Sequence, residues 1–289
     1  MNDLSKRNGV IYALVTACGL GAITTLAKIF YADGGNALTL MLTRTLVSTL
    51  VFGLLLLARR GSFKIEPGQR TAMIALGVFW SGGMICYLVA VETISVSLAV
   101  LIFYFYPLLV LAYSIFSRQL AASVPLISLF FAAFIGLYLA LSGGEISVDI
   151  NGILFATLAS FGAAFTFVCG ARVAPVVSPL LMTFWINAIG LLMILPLMLD
   201  TLVKPESWQG IIALGTATLC YLVAILSQFQ ALARLPAARA AFLLNLEPVV
   251  SILLAYLVLS ETLNLLQACG VVLVLTAIIL SLRFKPTSA

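Results

Sequence analysis

The chain contains no histidine, and only 9% of its 289 residues are charged. The first absence excludes imidazole general bases, histidine-ligated metals and histidine proton relays. The second excludes an aqueous fold, because a soluble domain carries roughly a quarter charged residues. Carboxylates are scarce, 10 against 15 Lys and Arg, and no two of them share the interior of one apolar run, so paired-carboxylate chemistry is not available either. The five cysteines (Cys18, Cys86, Cys169, Cys220, Cys269) all fall inside apolar runs. They form neither a disulfide framework nor a zinc spacing and read as buried small residues. With no nucleotide-binding loop and no metal cluster, the chain is not read as an enzyme, and no cofactor is expected.

What remains is hydrophobic: 63% of the residues, with a mean hydropathy of +1.20. Apolar segments fall at 9–31, 37–58, 70–91, 95–116, 120–142, 150–171, 178–199, 207–230, 236–259 and 263–283. Each is long enough to cross roughly 30 Å of hydrocarbon. The breaks between them are short and rich in turn residues, as at Asp33-Gly34-Gly35-Asn36 and Ser142-Gly143-Gly144-Glu145. The first segment follows Lys6 and Arg7 as a signal peptide would. That reading fails because the segment has a counterpart later in the chain.

The net charge of +5 would point a soluble protein toward nucleic acid; here the placement of the charges accounts for it, and no nucleic-acid partner is expected. The N-terminus and the loops after even-numbered spans hold Lys6, Arg7, Arg59, Arg60, Lys64, Arg118, Arg234, Arg239, Arg283 and Lys285, and Arg70 and Arg172 extend that side. The other side holds Lys28 and Lys204 against Asp33, Glu92, Glu145, Asp149, Asp200, Glu206 and Glu261. The positive-inside rule puts both termini in the cytoplasm of a multi-pass protein. The expected setting is a bacterial cytoplasmic (inner) membrane, with the lipid bilayer as standing partner.

The chain repeats itself. Gly9-Val-Ile-Tyr-Ala13 resembles Gly152-Ile-Leu-Phe-Ala156 at an offset of 143, where Gly19 matches Gly162. From the second span to the fourth the offset is 141, pairing Met41 with Met182, Ala90 with Ala231 and Pro107 with Pro248. Equivalent loops carry opposite charge, Arg59 against Asp200. Each repeat holds five spans, an odd number, so the second enters from the opposite side and the charge reversal follows. The predicted fold class is an all-α membrane protein of ten transmembrane helices arranged as two inverted five-helix repeats, 1–146 and 147–289. Small residues at helical spacing, Ala13-Ala17-Gly21 and Ala156-Ser160-Ala164, allow close helix approach in both.

Two five-span halves, an arginine early in the second span (Arg44), and Leu246-Glu247-Pro248 followed by Ser260-Glu261-Thr262-Leu263 and Gly270 resemble the drug/metabolite transporter superfamily, in particular its EamA-type ten-helix permeases. The resemblance covers essentially the whole chain. In the first half the family's Gly-Glu after the proline is replaced by Arg118-Gln119. The resemblance implies a basket-shaped bundle with a central cavity that moves amino acids, other metabolites or drugs.

Residues that hydrocarbon disfavours mark the candidate site. Pro107 and Pro248 interrupt two equivalent spans at the same depth, the pattern of a binding site between halves, and are candidate hinges. Glu247 lies near mid-span, where a charge costs roughly 3 kcal/mol and usually faces a cavity or a partner. An alternative is a Glu that hydrogen-bonds a carbonyl freed by Pro248. Arg44 either snorkels outward or faces the cavity and attracts carboxylate or phosphate. Trp80 is equivalent to Tyr221, Tyr87 to Gln228, Tyr104 to Asn245 and Tyr106 to Glu247. Side chains with an apolar body and a polar tip suit an amphipathic small molecule, and only about half the rings of Phe103-Tyr104-Phe105-Tyr106 can face inward. These residues point to a transporter for small amphipathic metabolites, foremost an exporter of amino acids, working by alternating access. Uptake, or efflux of cationic drugs, with protons as a coupling partner through Glu247, is the alternative. A non-transporting membrane subunit and an intramembrane enzyme are weaker readings.

Overall fold

A computed structural model describes residues 3–142, 147–197 and 202–283. The Gly143-Gly144-Glu145 turn, the boundary at 146, Asp200 and Lys285, all used above, lie outside the described residues. The first half comprises α1 (Asp3–Ala32), α2 (Ala37–Ala58), α3 (Pro67–Thr93), α4 (Val96–Phe103), α5 (Tyr106–Phe116) and α6 (Val124–Ala140). The second comprises α7 (Ile150–Val173), α8 (Pro179–Ile194), α9 (Trp208–Leu232), α10 (Ala237–Leu243), α11 (Leu246–Leu259) and α12 (Leu265–Arg283). The pairs α4–α5 and α10–α11 are each one interrupted span, so the described residues make ten crossings. Among them, nine segments are at least 18 residues long and apolar enough to span, and α6 has 17 residues.

The ends of the helices follow from local chemistry. Asn36 Oδ1 accepts from Thr39 N (2.7 Å) and Asp149 Oδ1 from Asn151 N (2.8 Å), capping α2 and α7. Ser178 and Ser207 do the same for α8 and α9, satisfying donors that a helix start leaves open. Gly34 turns the chain between α1 and α2 with φ +81°, a conformation that glycine adopts without strain. α1 starts six residues before the expected 9, because a helix can extend past the hydrocarbon into water. α6 starts four residues after the expected 120, as Arg118 takes φ +55° and Pro125 sits in the first turn of the helix.

Helix neighbours respect the repeat. α1 packs on α9 and α11, while its counterpart α7 packs on α3, α4 and α5. α2 packs on α8 and α6 on α12, each helix against its own equivalent. Two close crossings use matched small residues. A Cβ on Gly19 would sit 3.0 Å from Ala224 Cβ, and one on Gly162 would sit 3.2 Å from Gly83 Cα; Gly19 pairs with Gly162 by 143 positions and Gly83 with Ala224 by 141. Helices in lipid associate through packing of this kind.

The two ends of the bundle are chemically distinct. At one, Asp33 Oδ2 accepts from Glu206 N and Ser207 N (both 3.0 Å), Val203 N donates to Thr39 Oγ1 (3.1 Å), and Gln267 Nε2 donates to Ser142 O (3.0 Å). Hydrogen bonds from Ser207, first its side chain and then its backbone, hold the Asp33 carboxyl below the usual range. At the other end Trp185 Nε1 donates to Phe63 O (3.0 Å), Arg172 bonds and stacks on Tyr113, and Arg234 stacks on Tyr12. The first end collects the acidic loops and the second the basic ones, as the charge pattern requires.

Candidate functional site

Both interrupted spans break just before their prolines. Pro107 and Pro248 have no N–H, so the usual bond to the residue four back is lost. In the second half Leu244 O accepts from Glu247 N instead (2.9 Å), and Asn245 N reaches back to Phe242 O (3.1 Å). In the first, Phe105 N reaches Ile102 O (3.1 Å). Each break is therefore a single tight turn rather than an extended stretch, and it turns side chains at mid-span toward the axis of the bundle.

A central cavity of about 600 Å³ results, opening at the acidic end between Lys28, Tyr31, Ser142 and Glu261. That volume holds a drug-sized molecule. Eight of the nine expected binding residues line it: Arg44, Trp80, Tyr87, Tyr104, Tyr106, Tyr221, Gln228 and Glu247. Asn245 does not. It is buried, and its Nδ2 donates to Phe242 O (2.9 Å). The cause is the position of the break. α4 ends at Phe103 with Tyr104 as its cap, whereas α10 ends at Leu243, so Asn245 caps the start of α11. In the 141-residue register the second break falls one residue early, which turns Asn245 away from the cavity.

Arg44 does not snorkel outward. Its guanidinium lies 4.7 Å from the centroid of the Tyr221 ring, a cation–π arrangement. Glu247 faces Tyr87, Tyr104 and Tyr106, and Leu244 O, the carbonyl that Pro248 frees, accepts from the Glu247 backbone N–H. The Tyr104 hydroxyl points toward the Glu247 carboxyl without completing a hydrogen bond of normal geometry. Arg44 and Glu247 do not pair with each other; among the described residues the ion pair is Lys28–Glu261 (2.7 Å), on the rim of the cavity.

Three of the four rings in the Phe103–Tyr106 run face inward. Phe103 lies 5.3 Å from Tyr87, and Tyr106 stacks on Phe167 at 5.1 Å and 28°. Phe105 points the other way, against Phe134. Several buried polar atoms at the cavity wall have no partner: Arg44 Nε, Tyr104 Oη and both amide atoms of Gln228. Such atoms are costly unless something occupies the site.

Phe167 and the Lys28–Glu261 pair escaped the sequence reading. The first is an ordinary apolar residue in an apolar run. Lys28 and Glu261 counted only as loop charges, and their pairing depends on Ser260, whose left-handed φ of 55° folds the loop back toward α1. Asn187 was also missed. It is a buried amide inside α8 whose Oδ1 accepts from Tyr221 Oη (3.1 Å), and a mid-span polar residue is the signal that could have found it.

The profile of the EamA-like transporter family matches residues 7–142 and 150–283. An uncharacterized transporter of Archaeoglobus fulgidus is 25% identical over 278 residues, 96% of this chain and 97% of the relative. A solved crystal structure superposes with a TM-score of 0.78 at 18% identity, covering 93% of this chain and 96% of that chain. That likeness concerns the fold.

Proposed function

Since the chain belongs to the EamA-like transporter family, we propose that it is an alternating-access carrier exporting amino acids or similar small amphipathic metabolites. The observation that carries this reading is the one-sided cavity set against the inverted repeat. Met84 and Leu88 line the cavity; 141 positions on, Ile225 and Phe229 are fully buried. Ser251, Ile252 and Ala255 also line it, and their counterparts Val110, Leu111 and Ser114 are buried. A rocking motion that exchanges the roles of the halves opens the second set to the basic end and closes the first. With the basic end in the cytoplasm, the present state faces outward.

Arg44 supplies a cationic pole, Glu247 an anionic one, and Trp80, Tyr87, Tyr104, Tyr106 and Tyr221 the apolar walls between them. A ligand bearing both charges and a compact apolar body satisfies all three. The ring of tyrosines around Glu247 supports a second reading, a cationic ligand held by the ring faces with Glu247 as its countercharge and able to exchange the ligand for a proton.

Counterflow in liposomes containing the purified protein tests this. Labelled L-phenylalanine, phenethylamine and phenylacetate share a ring and carry both charges, the cation alone and the anion alone. The zwitterion should exchange fastest. Faster exchange of phenethylamine selects the second reading, and absence of counterflow for these and for a panel of the remaining amino acids overturns the export proposal.

A further inference from the structure

Arg44 is placed in the cavity by a chain of contacts that begins outside it, at Asn187 on α8. Asn187 is 1% exposed and far from either end of its span. Its Nδ2 donates to Thr183 O (2.7 Å), one turn back in the same helix. A carbonyl only accepts, so this bond fixes which way the amide faces and leaves Oδ1 as the acceptor toward α9. Tyr221 Oη donates to that oxygen (3.1 Å). The phenolic proton is thereby committed, the hydroxyl is held behind the cavity wall, and the ring is presented to the guanidinium of Arg44 at 4.7 Å. Arg44 Nε meanwhile is buried and unpartnered.

We propose that Asn187 is a positioning residue: by orienting the Tyr221 ring it fixes the Arg44 guanidinium as the receptor for the carboxylate or phosphate group of a ligand. The inference rests on Arg44 facing the ligand, as in the function proposed above. An amide buried in a membrane helix would serve as a simple interhelical tie between α8 and α9 equally well. The two roles separate because a tie changes stability alone, whereas a positioning residue changes the state of Arg44. α2, which carries Arg44, packs on both α8 and α9, so the chain Thr183–Asn187–Tyr221–Arg44 runs through three mutually packed helices.

The test needs no substrate. Phenylglyoxal modifies accessible arginines, and peptide mass spectrometry of the full-length protein reports the rate at Arg44, with Arg283 as internal reference. Asn187→Leu and Tyr221→Phe should each raise the rate at Arg44 about threefold, the scale of one surface cation–π contact, and leave Arg283 unchanged. The double variant should match the singles, because both cut the same chain. Tyr221→Phe keeps the ring and the packing, so it decides the matter alone if Asn187→Leu does not fold. An unchanged Arg44 rate in folded Tyr221→Phe protein, with or without a loss of thermal stability, overturns the proposal and leaves Asn187 as a tie. That outcome is independent of counterflow, which can fail or succeed separately.

Discussion

Replacing Gly270 by alanine places a methyl group into the crossing of α12 with α6. The new Cβ would lie 2.5 Å from Gly136 O, 2.8 Å from Ala140 Cα and closer still to Ala140 N. An unstrained contact needs about 3.5 Å, so the helices must separate by roughly 1 Å along that line. All three obstacles are backbone atoms, and no change of rotamer relieves them. Overpacking of this kind costs about 1–3 kcal/mol, against a gain of ~1 kcal/mol from the better helix propensity of alanine. The net expectation is a loss of up to about 2 kcal/mol, read as a fall of up to several degrees in the unfolding temperature in detergent. Gly215→Ala on α9 is the control. Nothing lies within 4 Å of its Cβ position, so only the propensity gain remains and the variant should be no less stable than wild type. Gly136 opposes Gly270 across the same crossing, its own Cβ position 3.0 Å from Gly270 O. Gly136→Ala added to Gly270→Ala should cost less than the sum of the two, because helices already parted accommodate the second methyl. If Gly270→Ala unfolds at the temperature of Gly215→Ala, the α6–α12 crossing is not a close-packed seam and the reasoning fails.

Cysteines introduced singly at Ser62 and Ser147, both exposed, in a background without the native five, should react with impermeant thiol reagents from opposite sides, Ser62→Cys from the cytoplasm; labelling from one side would contradict the inverted repeat. Glu247→Gln keeps the shape of the site while removing its proton. If transport is proton-coupled, the variant should exchange labelled for unlabelled substrate in liposomes yet fail to accumulate it under a pH gradient, and a wild type that also fails to accumulate substrate points to a facilitator. Asp33 ties the 202–207 loop to the end of α1, and its carboxyl sits below the usual range through hydrogen bonds from Ser207. A group with a depressed folded pKa contributes stability above its ordinary pKa and loses it as pH falls through the folded value. Hydrogen exchange over 202–210, referred to Asp33→Ala at each pH, should therefore stay slow from neutral pH down past the ordinary carboxylate range, and converge with the variant only in stronger acid. Convergence already near neutral pH would show that the tie does not depend on the carboxylate.

Much of this architecture is encoded one span at a time. A run of some 20 apolar residues must cross the bilayer as a helix because its backbone groups have no water to bond. Loop charges, offsets of 141 and 143, and prolines at equal depth are likewise properties of short stretches, so the ten crossings, the inverted repeat and the depths of Arg44 and Glu247 could be read directly. Depth, however, is only one of two coordinates. Each residue also has a direction around its helix, advancing ~100° per step, and a helix apolar on every side carries no stripe that fixes that direction. Hence the one-residue difference between the breaks after Phe103 and Leu243 turned Tyr104 into the cavity and Asn245 out of it. The same holds for Phe167 under Tyr106, for Asn187 behind Tyr221, and for the Lys28–Glu261 pair on the rim. These pairings join residues that are far apart in the chain, and they exist only once the helices have packed and each has settled its rotation against its neighbours.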